Sequence, residues 1–370
     1  MTQVIADMPL LASQALLSQL LLVIGISSCA CMCQPGYSGP DAGPCSACEA
    51  GKFKSVNSSD IADTKCLTCP TRDYSCSFSR THADSDASMD WRAGVWCVDP
   101  SSSEWISAVL CAPANHTINF APGVYTGGCG ATLERNVRLK AAPSGSATLD
   151  CLGADRHFVV GTGASVVIDG LMLTNGRAVS SSRGRGDGGC IFAQANASLS
   201  IRNSMFTRCS ANMSGGALVL TAGTSATIIG SAFQNCSASN GGGIAAHNGS
   251  RLELQNSRIE GNVAVSSGGG LFLQSACNAT IECTTIAANG AGDYGGGLFG
   301  RDRVQVLVLS SYLVDNNLTN PSLDSLGMSR GGGIYVDTDS ILGVTNTTVS
   351  RNTALNRGGG PCTRIVHIVN

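Results

Sequence analysis

GGGLFLQSACNATIECTTIAANGAGDY, residues 268 to 294, is one complete copy of a phrase that recurs along the chain. Each copy opens on glycines followed by Ile or Leu: Gly188-Gly189-Cys190-Ile191, Gly215-Gly216-Ala217-Leu218, Gly241-Gly242-Gly243-Ile244, Gly268-Gly269-Gly270-Leu271, Gly295-Gly296-Gly297-Leu298 and Gly331-Gly332-Gly333-Ile334. Successive first glycines, through a last triplet at Gly358 to Gly360, are 27, 26, 27, 27, 36 and 27 residues apart. A fixed period of about 27 residues is the mark of a solenoid.

With the Ile or Leu after the glycines as position 0, position 10 is always aliphatic (Ile201, Ile228, Leu254, Ile281, Val308, Val344). Position 8 carries Leu199, Ala226, Leu252, Ala279, Val306 and Leu342, and this two-residue step marks a strand with one buried face. Position 15 is Phe206, Phe233, Ile259, Ile286, Leu313 and Val349. Three short strand signals per copy, each too short to persist alone, predict an all-β chain: a single-stranded parallel β-helix, whose right hand is what the family resemblance given below implies together with the rule for parallel crossovers.

At a rise of about 4.8 Å per rung, eight to nine rungs make a rod on the order of 40 Å long. Its narrow interior suits Ile, Leu, Val and Ala, and aromatics are only 5 % of the chain.

Position 18 holds Cys209, Cys236, Asn262, Asn289, Asn316 and Asn352. Stacked asparagines are expected to form a structural ladder of side-chain amides. Asn203, Asn256 and Asn346 share position 12 and suggest a shorter one. Cys209 and Cys236 stand at equivalent positions one rung apart, within disulfide reach or as a buried thiol pair, and Cys277 and Cys283 flank a loop they could close.

Gly215-Gly216-Ala217-Leu218, together with Ile259-Glu-Gly-Asn262 and its counterparts, resembles the paired GGA-[ILV] and F-x-x-N signatures of polymorphic outer membrane protein repeats. That resemblance implies a surface-exposed β-helix used in adhesion. The earlier strands, from Ile118-x-Phe120 through Val137-x-Leu139, resemble the first strands of pectin-lyase-like β-helices.

Ahead of the repeats, residues 8 to 27 are mostly apolar and end in small residues. They read as a secretory signal within residues 1–30, cleaved near Ala30 or retained as an anchor, although no basic residue precedes Lys52. Residues 31–76 form a cysteine-rich module, 77–117 a connecting segment and N-terminal cap holding Trp91, Trp96 and Trp105, and 118–370 the β-helix, its last rung incomplete.

Cys31, Cys33, Cys45, Cys48, Cys66 and Cys69, with Cys97 and Cys111 behind them, are disulfide candidates in a chain of 18 cysteines. The two CxxC pairs would also suit zinc, but the position behind a signal and the extra cysteines favour disulfides. The wording Cys31-Met-Cys33-Gln-Pro-Gly-Tyr, Cys45-Ser-Ala-Cys48 and Cys66-Leu-Thr-Cys69-Pro resembles EGF-like and ephrin-receptor-like modules, which implies a disulfide-stapled, non-catalytic spacer.

Charged residues are 13 % of the chain and its net charge is −2, which argues against nucleic acid as a partner. Solubility then rests on Ser, Thr, Asn and Gly or on sugar, for which Asn57, Asn115, Asn196, Asn212, Asn248, Asn278 and Asn317 are N-glycosylation candidates.

Charge concentrates only at Arg301, Asp302, Arg303, Asp337 and Asp339, of which Arg301, Asp337 and Asp339 are weak catalytic candidates in a fold that also carries pectate lyases and polygalacturonases. Two longer loops on one edge, with Arg177, Arg183, Arg185, Asn317 and Asp324, are binding-loop candidates about 24 Å apart. No reactive group recurs from rung to rung.

The expectation is therefore a non-catalytic, secreted or cell-surface structural and adhesion protein. It would need no cofactor or metal, would meet extracellular glycans or surface proteins, and would touch a membrane only through an N-terminal anchor or a further C-terminal region. The alternative is a polysaccharide lyase or hydrolase.

Overall fold

The computed structural model describes residues 95–354 apart from 99, 101–104, 113, 142–143, 180–185, 320–330 and 338. It also describes two short antiparallel pairs, Tyr37–Ser38 with Ser46–Ala47 and Lys52–Phe53 with Leu67–Thr68. The signal segment, the six cysteines from Cys31 to Cys69, Asn57, Arg183, Arg185 and Asp324 lie outside the described residues, as do the side chains of Cys97 and Cys111.

The repeats wind into a parallel β-helix. In the rung opened by Gly215 the strands are Leu218–Leu220, Ser225–Ile229, Ala232–Gln234 and Ser237–Asn240. Each pairs in parallel with its counterpart one rung on, Leu218 with Ile244, Ala226 with Leu252, Phe233 with Ile259 and Ser237 with Val263. Among the described residues this builds a glycine sheet of eight strands, a long sheet of ten, a third sheet of nine and a short sheet of six.

Three strands per copy were expected and four are present. The fourth begins at position 19, where the chain folds back over the glycines that opened its rung. The second glycine makes this possible: a Cβ on Gly216 would lie 2.0 Å from the Gly242 carbonyl oxygen and 2.6 Å from the Ser237 nitrogen. The first glycine turns the corner in the left-handed region, at φ 65° for Gly215.

The period-two pattern places the core. Leu218, Leu220, Ala226, Ile228 and Phe233 are fully buried, and the same positions repeat along the rod. At the N-terminal end the helix Trp105–Cys111 brings Trp105 edge-on against Phe120 and Tyr125, at 5.9 and 6.1 Å between ring centroids.

The asparagines at position 18 form a continuous ladder. Asn262 Nδ2 donates to Asn289 Oδ1 (3.0 Å), Asn289 Nδ2 to Asn316 Oδ1 (2.9 Å) and Asn316 Nδ2 to Asn352 Oδ1 (2.9 Å). Each Oδ1 also accepts the backbone N–H of the preceding member, so every amide is shared between rungs.

The shorter ladder expected at position 12 does not form. Asn203 donates to Asp169 (3.3 Å) and Asn346 to Ser310 (3.2 Å), because Gly230, Cys283 and Ser310 separate the three asparagines on the intervening rungs. Asn203, Asn256 and Asn346 instead hold left-handed corners, at φ 49°, 50° and 48°, which asparagine tolerates.

The second ladder is one of hydroxyls at position 13. The N–H of Ser204 donates to Ser231 Oγ (3.1 Å), that of Ser231 to Ser257 Oγ (3.2 Å) and that of Ser257 to Thr284 Oγ1 (3.3 Å). Each hydroxyl donates in turn to the carbonyl two residues before it, as Ser257 does to Gln255 at 2.8 Å.

The disulfides differ from those expected. Cys209 is bonded to Cys190, not Cys236, because Cys190 takes the third-glycine place and faces position 18 across the corner of its own rung. Cys236 stays a buried thiol, and burial pushes its pKa up to about 12. Cys277 and Cys283 are not bridged: Cys277 points inward, with Sγ donating to the Gln274 carbonyl at 2.9 Å, while Cys283 sits at a left-handed corner. A further bond, Cys129–Cys151, closes the irregular first turn of the rod.

Candidate functional site

In the glycine sheet positions 0 and 2 point inward, so 1 and 3 face out. Position 1 carries Phe192, Val219, Ala245, Phe272, Phe299 and Tyr335, and position 3 Gln194, Thr221, His247, Gln274, Arg301 and Asp337. Toward the C-terminal end the outward face is therefore a stack of rings beside a row of polar groups.

Phe272 and Phe299 stack at 5.2 Å and Phe299 and Tyr335 at 5.7 Å, while Tyr294, from the turn before Gly295, lies 5.3 Å from Tyr335. Phe272 and Phe299 are only 3 % and 4 % exposed although they face outward, because polar side chains fold over them. The His247 ring lies 5.6 Å from Phe272, and the Arg301 guanidinium sits over Phe272 and Phe299 at 5.8 and 6.0 Å.

Arg301 keeps 44 % of its side chain exposed and lies 3.8 Å from Asp302, which also accepts a hydrogen bond from Gln274 Nε2 at 3.3 Å. Asp302, Arg303 and Asp339 occupy left-handed turn positions, φ 63°, 65° and 61°. Asp337 is half-buried at the end of the next rung's strand, its N–H donating to the Gly300 carbonyl at 2.8 Å. Of the expected charge cluster, Arg301 and Asp302 are thus brought together on one rung, with Asp337 following on the next.

The outward aromatics were missed in the sequence, because strand alternation assigns position 1 to solvent. So was Arg156, whose guanidinium lies over Phe192 at 5.4 Å and close to Asp155. Burial lowers the pKa of Arg156, opposed by the charges of Asp155 and Asp187.

The binding-loop candidates Arg177 and Asn317 sit on the first and last strands of the short sheet, both exposed. Asn115, Asn196, Asn212, Asn248 and Asn278 are also exposed. Among the described residues no three His, Cys, Asp or Glu side chains are grouped to hold a metal ion, and no helix is long and apolar enough to cross a membrane.

Residues 169–354 match the family model of the right handed beta helix region. No curated protein matches the chain. Among solved structures it is similar to pectate lyase Pel9A, at 14% identity over 73% of this chain and 81% of that one, with a TM-score of 0.43. It is also similar to alginate lyase AlyF-OU02 in complex with G6, at 14% identity over 70% of this chain and 61% of that one, TM-score 0.39. A mutant of the PL6 family alginate lyase AlyGC is similar at 12% identity over 70% of this chain and 39% of that one, TM-score 0.33.

Each of these structures is of a polysaccharide lyase. The expectation of a non-catalytic chain is corrected. It rested on the lack of a reactive group recurring in every rung, and a catalytic site needs its groups only once, on a few neighbouring rungs. The family model covers half of the sequence, and the chain belongs to the right-handed β-helix family.

Proposed function

We propose that the chain is a polysaccharide-active enzyme that takes an acidic glycan along the outer face of the glycine sheet, around Arg301. The observation that carries this is the run of His247, Gln274, Arg301 and Asp337 on four consecutive rungs beside stacked rings. Rungs repeat about every 4.8 Å, so an extended glycan lying along the rod meets one row member per step.

The half-exposed guanidinium is a ready partner for a sugar carboxylate. Neutralising that carboxylate favours removal of the neighbouring proton, the demanding step of an elimination. His247, Tyr335 and Asp337 are the groups on the same face able to accept or return a proton. Pectate and alginate, on which the named structural neighbours act by their names, are the substrates to try first. An extracellular setting fits the Cys129–Cys151 and Cys190–Cys209 bonds.

Purified full-length chain incubated with polygalacturonate, alginate and a neutral glucan should release unsaturated or reducing ends from an acidic polymer only. Arg301→Ala should abolish the release while unfolding as the wild type does. Absence of turnover on every polymer, or turnover indifferent to Arg301→Ala and Asp337→Asn, would end the proposal.

A further inference from the structure

Three consecutive rungs place His157, the Cys190–Cys209 disulfide and the Cys236 thiol in one corner column. His157 Nε2 lies 2.9 Å from the Leu149 carbonyl, which makes Nε2 the protonated nitrogen and leaves the lone pair on Nδ1. Nδ1 is buried with no hydrogen-bond partner. A buried acceptor left unsatisfied is destabilising, so its setting calls for an explanation.

Nδ1 shares one open space with sulfur. His157 Nδ1, Cys190 Sγ and the Gly189 carbonyl oxygen all lie within 2.8 Å of the point a Cβ on Gly176 would occupy, so the three border the gap left by a residue that has no side chain. On the other side of the bond, Cys236 stands at the position equivalent to Cys209 on the next rung, where the Ser237 N–H donates to the Cys209 carbonyl at 3.0 Å. Strands so paired bring Cα atoms within about 4.8 Å, inside the disulfide range.

We propose that the disulfide exchanges with Cys236 inside the folded rod. The Cys236 thiolate attacks Cys209 Sγ, the Cys209–Cys236 bond forms as the Cys190–Cys209 bond breaks, and Cys190 leaves as a thiolate. Cys190 then takes up the proton Cys236 gave up and donates its S–H to His157 Nδ1. One disulfide and one thiol become one disulfide and one thiol, so neither oxidant nor reductant is consumed. The link that closed a corner within one rung becomes a clamp between two rungs. Because Cys236 is held protonated by burial, interconversion belongs to the minutes-to-hours range of uncatalysed disulfide rearrangement.

The test is disulfide mapping of the full chain, incubated in native buffer at pH 8, quenched with acid and maleimide, digested without reduction and read by mass spectrometry. Both Cys190–Cys209 and Cys209–Cys236 peptides should appear, the second accompanied by labelled Cys190, and Cys236→Ala should leave only the first. His157→Phe should lower the second severalfold. Cys190→Ala, which leaves two adjacent thiols, should form Cys209–Cys236 under mild oxidation, and its intact Cys129–Cys151 bond and circular dichroism report its fold. A wild type that shows only Cys190–Cys209 after a day in that buffer overturns the proposal, as does a folded Cys190→Ala variant whose two thiols stay unpaired.

Discussion

Gly243 faces Asn262 across one corner of the rod, and a Cβ on the glycine would stand 3.3 Å from the asparagine Nδ2. Gly270 with Asn289, Gly297 with Asn316 and Gly333 with Asn352 repeat the relationship, at 3.1, 3.1 and 2.8 Å. Ala217 stands opposite the smaller Cys236 in the same two positions, and Cys190 is bonded to Cys209. At the N-terminal end the order reverses, with the large side chain on His157 and the glycine at Gly176. The corner is a slot of nearly constant volume, filled from either side.

The slot predicts how Gly243 tolerates change. Its backbone is not in the left-handed region, so a substitution there meets crowding rather than torsional strain. Gly243→Ala should lower the unfolding free energy by about 1–3 kcal/mol, the usual cost of overpacking. Combined with Asn262→Cys, which recreates the Ala217 and Cys236 pair, it should cost less than the sum of the single changes, measured as a double-mutant cycle in urea. Simple additivity would remove the shared-volume account.

The two ladders should differ in weight. Asn289→Ala strands the backbone N–H of Asn262, removes one of the two acceptors of Asn262 Nδ2, which keeps the Phe233 carbonyl, and leaves the Ile259 carbonyl without its 2.9 Å donor, all in the interior. At about 1–3 kcal/mol per unsatisfied buried group, several kcal/mol are at stake and the C-terminal rungs should loosen first. Ser257→Ala removes one acceptor, for the Ser231 N–H at 3.2 Å, and should cost about 1–2 kcal/mol. Hydrogen exchange read rung by rung separates the two, and equal losses would contradict the ranking.

The inward positions were legible in the sequence because the interior repeats one demand, and Ile201, Ile228 and Leu254 answer it alike. The asparagine ladder was legible for the same reason. Partners across a corner were not, since Cys190 and Cys209 satisfy each other within a rung while alignment of copies compares rungs. The hydroxyls at position 13 were hidden because Ser and Thr also populate turns and surfaces. The outward stack of Phe272, Phe299 and Tyr335 was missed because alternation assigns position 1 to solvent, and only folding shows Arg301 and His247 laid over the rings.

At the N-terminal end Tyr125 ties the first turn together. Its buried hydroxyl lies 2.8 Å from the Val98 carbonyl and 2.9 Å from that of Ala121. Tyr125→Phe keeps the ring contacts with Trp105 and Phe120 and removes only the hydroxyl, so a loss of about 1–2 kcal/mol is expected. Amide exchange should quicken across Val95–Val98 and His116–Phe120, the first two strands of the long sheet, and not near Asn352. A uniform change along the rod would show that the tie is not local.

His157 gives stability a pH dependence whose sign follows from its burial. Burial lowers its pKa from 6.5 to about 4, against the opposing pull of the Leu149 hydrogen bond and the Asp150 charge. The unfolded chain therefore binds a proton that the folded chain resists. The neutral ring's contribution is fully present above the unfolded value of about 6.5 and is lost as the pH falls toward 4. A difference of this size corresponds to about 3 kcal/mol. Urea unfolding of the wild type at pH 7.5 and pH 4 should show that much more loss than His157→Phe, which removes the titrating group and leaves the carboxylates common to both. Parallel pH curves for the two proteins would mean that His157 is protonated in the folded rod, and its unpartnered Nδ1 would need another account.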